Sequence, residues 1–175
     1  MQIVLFEPEI PPNTGNVARL CAAFGLPLHL IEPLGFKLEN RYFRRAGLDY
    51  WPQVELLVWP SFSTYLEQGR RGHRLLMSSS RQGEPVQHFR FSELDALVLG
   101  PETRGLPRDM LQTADACLRL PIRGGVRSLN LSSAAAILAY QAMLGSGLLE
   151  RLHEKIEGGP GIPGEFSCQK LNLRA

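Results

Sequence analysis

Apolar residues fall in short bulky runs separated by polar loops, and the spacing within the runs changes along the chain. Gln2–Phe6 is a run of the buried-strand type, and the Pro-rich stretch at 7–12 breaks it. Val17, Leu20, Cys21 and Phe24 then recur at helical spacing until Gly25, while Asn13 and Asn16 supply side chains suited to cap that helix. Leu28–Ile31 is a second strand. Strand, loop, helix and strand in this order predict an α/β fold, a mainly parallel sheet covered by helices.

The same reading continues downstream. Residues 35–50 form a polar, arginine-bearing connection with a short helical turn near 40–46. Residues 54–59 are strand-like, 61–68 a capped short helix, and Arg74–Ser78 a further strand; the stretch 82–91 carries no clear period. A strand ends at Gly100, a helix follows from Pro107, and another strand spans 117–122. Residues 132–144 give the clearest helix, with Ile137, Leu138, Tyr140 and Leu144 as its packing side chains. After Gly145-Ser-Gly147, the leucines 148, 149 and 152 with Ile156 predict one more amphipathic segment. From 157 to 175 the chain turns Gly/Pro-rich, so one domain over 1–156 and a loose tail over 157–175 are expected.

Composition narrows the class. With 175 residues, 44% of them hydrophobic, the chain can bury one core and is too apolar for a disordered protein. A net charge of +2 means that any nucleic-acid surface must come from local clusters, such as Arg41, Arg44 and Arg45. Three widely spaced cysteines (Cys21, Cys117, Cys168) suit a reducing cytoplasm, and the four scattered histidines provide no zinc spacing, so no metal is expected. No apolar run reaches membrane-spanning length, so no membrane partner is expected.

The candidate chemistry sits in three polar stretches beside apolar runs. The central one is Leu99-Gly-Pro-Glu-Thr-Arg-Gly-Leu-Pro107, where a strand ends on glycine and the missing Cβ lets a ligand approach the backbone. Upstream lies Asn13-Thr-Gly-Asn16 with Arg19, and downstream Arg127-Ser-Leu-Asn-Leu-Ser-Ser133. Two readings of Glu102 stand open: an orienting carboxylate, or a loop-internal pair with Arg104. Asn130 either meets a ligand or caps the helix after it, and the two roles are compatible. No Gly-x-Gly-x-x-Gly follows the first strand, which argues against an ordinary Rossmann dinucleotide site.

Taken together, residues 6–16 with Arg19, 99–107 and 127–132 resemble the three motifs of the SPOUT superfamily of RNA methyltransferases. The likeness is strongest to its TrmL branch, to which Arg44-Arg-Ala-Gly-Leu-Asp-Tyr50 is also similar. The resemblance spans roughly residues 1–144. It implies an α/β fold with helices on both sheet faces and a deep trefoil knot near the C-terminal end, two subunits completing one site, and S-adenosylmethionine as methyl donor. Its implied activity is 2′-O-methylation of the ribose of the wobble nucleotide in a tRNA anticodon loop, a cytidine or uridine derivative. By resemblance, Ser78, Leu99, Gly100, Leu120, Ile122, Ser128 and Leu131 hold the cofactor, Ser78 and Leu120 through their backbone. Arg19, Asn13, Glu102, Ser128 and Asn130 carry the chemistry, and Arg41, Arg44, Arg45 and Arg104 meet RNA. A guanidinium is a donor with no acceptor, so Arg19 is expected to bind the hydroxyl and nearby phosphate and to stabilise developing oxyanion character. The same chemistry on another tRNA or rRNA position, and a non-catalytic knotted RNA-binding module, are the rival functions.

Overall fold

A strand apolar on both faces has no solvent side, and β1 (Gln2–Phe6) accordingly runs inside the sheet rather than at its edge. The computed structural model describes residues 1–38 and 51–157. In chain order after β1 come α1 (Pro11–Phe24), β2 (Leu28–Ile31), β3 (Leu56–Trp59), α2 (Phe62–Thr64, continued by a wider turn over Tyr65–Gly69) and β4 (Arg74–Ser78). Then follow β5 (Glu84–Pro85), β6 (Asp95–Leu99), α3 (Arg108–Gln112), β7 (Ala116–Arg119), α4 (Leu131–Gly145) and α5 (Leu148–Glu157). The strands form one sheet in the order β3-β2-β1-β6-β4-β7-β5, and every neighbouring pair is parallel.

Strand alternation sends successive side chains to opposite faces. Ile3, Leu5, Leu28, Leu30, Leu76 and Leu97 join one apolar cluster with residues of α1 and α4, among them Val17, Cys21 and Leu138. Val4, Ile31, Leu75, Met77 and Val98 join a second cluster with Tyr65, Leu106 and Met110. Helices therefore cover both faces, as the α/β reading expected.

Several expectations need correction. Asn13 and Asn16 do not cap α1: the helix already begins at Pro11, Ile10 holds the cap position without a side-chain bond, and two prolines pre-set the first turn. Of the four packing residues expected on α4, only Leu138 is buried; Ile137, Tyr140 and Leu144 are exposed. Ala135, Ala139, Ala142 and Met143 pack instead, because small residues let α4 lie close against α1 and the sheet. The last long strand stops at Arg119, short of 122, and the chain enters an irregular segment. The helical turn expected near 40–46, together with Arg41, Arg44 and Arg45, lies outside the described residues, as does the chain from 158.

One buried polar cluster braces the second face. The Gln2 amide donates to Tyr65 Oη at 2.7 Å. Trp59 Nε1–H donates to His29 Nδ1 at 2.9 Å, with the two ring planes within 8° of each other. His29 is thereby held as a neutral acceptor, and burial, with smaller repulsion from His73 and Arg71, lowers its pKa from 6.5 to about 4. A base whose folded pKa lies below its unfolded one stabilises the fold above the unfolded value and loses that contribution as pH falls toward the folded value. Urea midpoints measured from pH 7.5 down to pH 4 should fall for the wild type between about 6.5 and about 4. A His29→Gln variant, which has no proton to take up there, should show a shallower decline over that window.

Candidate active site

Parallel strands all end on one side, so the loops after β1, β4, β6 and β7 gather at a single edge of the sheet. A cavity of about 540 Å³ opens there. Leu99, Leu106, Leu120, Ile122 and Leu131 give it apolar walls, and Ser78, Gly100, Glu102, Ser128 and Asn130 line it too. Such a size and mixture suit a nucleoside-sized ligand.

Gly100 is needed for a reason the sequence did not reveal. A Cβ built on it would lie 2.5 Å from the Leu106 nitrogen and 2.6 Å from the Gly105 carbonyl carbon. The glycine thus lets the loop fold back on itself, a closure completed by Gly105 N–H donating to the Pro101 carbonyl at 2.9 Å. Gly105 takes a φ of +70°, the left-handed conformation that glycine tolerates. Pro107 precedes α3 as its cap residue.

The three polar stretches meet through side chains. Asn13 Nδ2 donates to Glu102 Oε1 at 2.9 Å, and Asn130 Nδ2 donates to Asn13 Oδ1 at 2.9 Å. Asn130 Oδ1 in turn accepts from Ser132 N–H at 2.9 Å, Ser132 Oγ at 2.7 Å and Ser133 N–H at 3.4 Å, capping α4. The second oxygen of Glu102 accepts from the Glu9 backbone N–H at 2.9 Å. The loop-internal pair of Glu102 with Arg104 does not form: Arg104 turns away to Glu7 and Glu9, and Glu102 faces Asn13.

Residues 9 and 103 were not singled out from the sequence. The Glu9 carboxylate accepts from Thr103 N–H at 3.0 Å and from Thr103 Oγ1 at 2.9 Å, so each loop holds the other at two points. An acid three residues after the end of β1 was the available signal, but its partner lies 94 positions away in the chain. Arg81 and Arg108 also line the cavity and were passed over, each being an isolated cation in the sequence; Arg127, which heads the third motif, lines it without having been given a role.

All seven residues expected around the cofactor line this cavity, as do Asn13, Glu102, Ser128, Asn130 and Arg104. Arg19 does not: it sits on the exposed face of α1 with Asn16, away from the buried Asn13. Helical spacing explains this, since residues six apart differ by about 240° around the axis.

The cavity fits an adenosyl ligand in its donor set. Between 120 and 129 the backbone makes one hydrogen bond to other backbone among the described residues, from Val126 N–H to the Arg123 carbonyl at 3.4 Å. Leu120, Ile122, Ser128 and Leu129 of that segment line the slot, setting leucine and isoleucine walls beside polar groups, as a purine edge and ribose require. Among the described residues no group of three or more His, Cys, Asp or Glu side chains is placed to hold a metal. No single described helix is long and apolar enough to cross a membrane.

A parallel sheet with its polar loops gathered over an apolar slot defines a nucleotide-handling α/β protein, and comparison narrows that class. Residues 1–140 match the model of the SpoU rRNA Methylase family, and the chain belongs to that family. It is similar to a tRNA (cytidine(34)-2′-O)-methyltransferase of Saccharophagus degradans, 47% identical over 143 residues, which cover 80% of this chain and 92% of the relative. A solved structure concerned with the 2-OH methylation of C/U34 on tRNA is 49% identical, covers 82% of this chain and 94% of its own, and superposes with a TM-score of 0.79. The SpoU methyltransferase AviRb from Streptomyces viridochromogenes, solved in complex with the cofactor AdoMet, shares the fold at 22% identity and a TM-score of 0.74, covering 87% of this chain and 58% of its own.

Asn130 carries two separable duties, the α4 cap and the bond to Asn13. An Asn130→Ala variant, which loses both, should unfold about 2 kcal/mol more easily in urea titrations. Asn130→Ser, which keeps a capping oxygen only, should lose about 1 kcal/mol.

Proposed function

We infer that this chain is an S-adenosylmethionine-dependent transferase that methylates the ribose 2′-oxygen of the wobble nucleotide of tRNA, a cytidine or uridine derivative, in the cytoplasm. The observation that carries the reading is the bonded chain Glu102–Asn13–Asn130, which gathers all three motifs at the rim of one nucleoside-sized cavity. The relative and the solved structure at 47% and 49% identity support the tRNA substrate and the wobble position.

When bound, the cofactor supplies a sulfonium methyl group that the ribose oxygen attacks in line, the S–CH₃ electron pair passing to sulfur to leave a neutral thioether. The chain's own residues then have three tasks. The apolar walls at Leu99, Leu120, Ile122 and Leu131 exclude water and hold the adenosyl part. Asn13 and Ser128 line the cavity, where a ribose edge would be gripped, and Glu102 keeps the Asn13 amide in one orientation. Arg19 binds the 2′-oxygen and the adjacent phosphate, stabilising negative charge as the hydroxyl proton departs to a phosphate oxygen or water.

That last task requires a second copy. Arg19 is exposed on α1 and does not line its own chain's cavity, while the neighbouring α4 exposes Ile137, Tyr140 and Leu144 at spacings of three and four. Such an apolar stripe suits a self-complementary interface. A homodimer formed across α1 and α4 would bring one copy's Arg19 toward its partner's cavity. Arg41, Arg44, Arg45 and Arg104 are assigned to RNA phosphates, Arg104 after exchange of its contacts to Glu7 and Glu9.

Labelled cofactor and bulk tRNA should yield label in the ribose of one anticodon-loop nucleotide. Label at another tRNA or rRNA position favours the first rival, and binding without transfer favours the non-catalytic module. Arg19→Ala should lower kcat about 100-fold with cofactor affinity unchanged. Mixing the inactive Arg19→Ala and Asn13→Ala proteins should restore about a quarter of wild-type activity, because half of randomly exchanged dimers carry one complete site. No recovery on mixing would place Arg19 in its own chain's site or outside the chemistry.

A further inference from the structure

The charge at the mouth of the cavity is one-sided. Arg81, Arg104, Arg108 and Arg127 line it against a single carboxylate, Glu102, whose two oxygens are already occupied by Asn13 and the Glu9 N–H. Arg104 is partnered by Glu7 and Glu9. Among the described residues no carboxylate lies within 4.0 Å of Arg81, Arg108 or Arg127. Arg127 donates to the Thr103 carbonyl at 2.7 Å, which orients the guanidinium but leaves its charge uncompensated. All three side chains are exposed.

These cations come from three elements: the loop after β4, the first turn of α3 and the segment before α4. Arg127 ties its segment to the loop after β6, whereas among the described residues no side-chain bond holds Arg81 or Arg108. A cation in the first turn of a helix opposes the helix dipole, so Arg108 does nothing for α3. Nor does the cofactor explain them. S-adenosylmethionine carries a sulfonium and an ammonium against one carboxylate, a net positive charge, and a positive rim around an apolar-walled slot raises the potential that such a ligand must enter. Its demethylated product is net neutral and meets no such barrier.

Resting on the activity proposed above, we propose that Arg81, Arg108 and Arg127 form a phosphate-binding rim for the RNA strand that bears the target nucleotide. The rim also couples the two substrates. Phosphates seated on it cancel the repulsion felt by the cationic donor, so RNA tightens donor binding more than product binding, and by linkage the donor tightens RNA binding in the same ratio. Without RNA, the rim favours the neutral product over the cationic donor.

The test measures donor and product affinity by calorimetry and binding of an anticodon stem-loop by anisotropy, each between about 50 and about 500 mM salt. For the wild type without RNA, donor affinity should rise about threefold with salt while product affinity stays level. In Arg81→Gln/Arg108→Gln, the donor should bind about threefold tighter at low salt and lose that salt response. The salt slope of RNA binding should fall by about 0.7 to 0.9 for each arginine removed. A saturating stem-loop should tighten the donor relative to the product in the wild type and not in the variant.

If the variant weakens donor and product equally, the rim holds their shared carboxylate and the proposal is overturned. An unchanged RNA salt slope overturns it as well. Because these are binding measurements, they stand apart from the proposed activity: salt responses as expected with no methyl group reaching tRNA would sink the activity and keep the rim.

Discussion

A carboxylate at one end and a row of helix amides at the other determine how the polar centre of this protein is wired. Glu102 only accepts, so the Asn13 amide must turn its Nδ2 toward it and offer Oδ1 to Asn130. The N-terminal amides of α4 only donate, so Asn130 must turn Oδ1 toward them and its Nδ2 toward Asn13. The two amides have one mutually consistent orientation, set from both ends. Three segments distant in the chain are joined by that polarity, and the site inherits its geometry from it.

The parallel sheet makes the junction possible. It delivers the ends of β1, β4, β6 and β7 to one edge, and the apolar faces of the strands lock the register on both sides. Loops at such an edge are held only by what they bond to. Here the loop after β1 and the loop after β6 clasp each other, Glu9 to Thr103 and Glu102 to the Glu9 N–H, while Gly100 lets the second loop close on itself. Rigidity of this kind holds binding groups in place before a ligand arrives. The exposed arginines that line the same cavity outnumber its carboxylates, so the charge around this junction is one-sided.

Much of the fold was legible because strand and helix leave different periods. β1, β2, β4 and β6 were readable as short apolar runs, and α4 as an alanine-rich helix with polar residues at its start. What misled was size taken for burial. On α4 the large Ile137, Tyr140 and Leu144 face outward and the alanines face in, since close helix packing selects small side chains. The motif residues were recognisable by type and order, whereas the partners of Glu102 and Arg104 were not, because adjacency in sequence suggested a pair that the loop geometry forbids.

The sequence by itself determined the alternation of strands and helices, the three polar stretches and, through their likeness to a known superfamily, the chemistry expected of them. The knot is an expectation carried by that likeness, and no local pattern signals it. Tertiary structure alone decided which polar groups meet: that Asn13 bonds rather than caps, that Glu9 holds Thr103, and that Arg19 stands outside its own chain's cavity. Periodicity is a local property and is written along the chain. Pairing between loop side chains depends on where the sheet carries each strand end, and no local pattern encodes that distance.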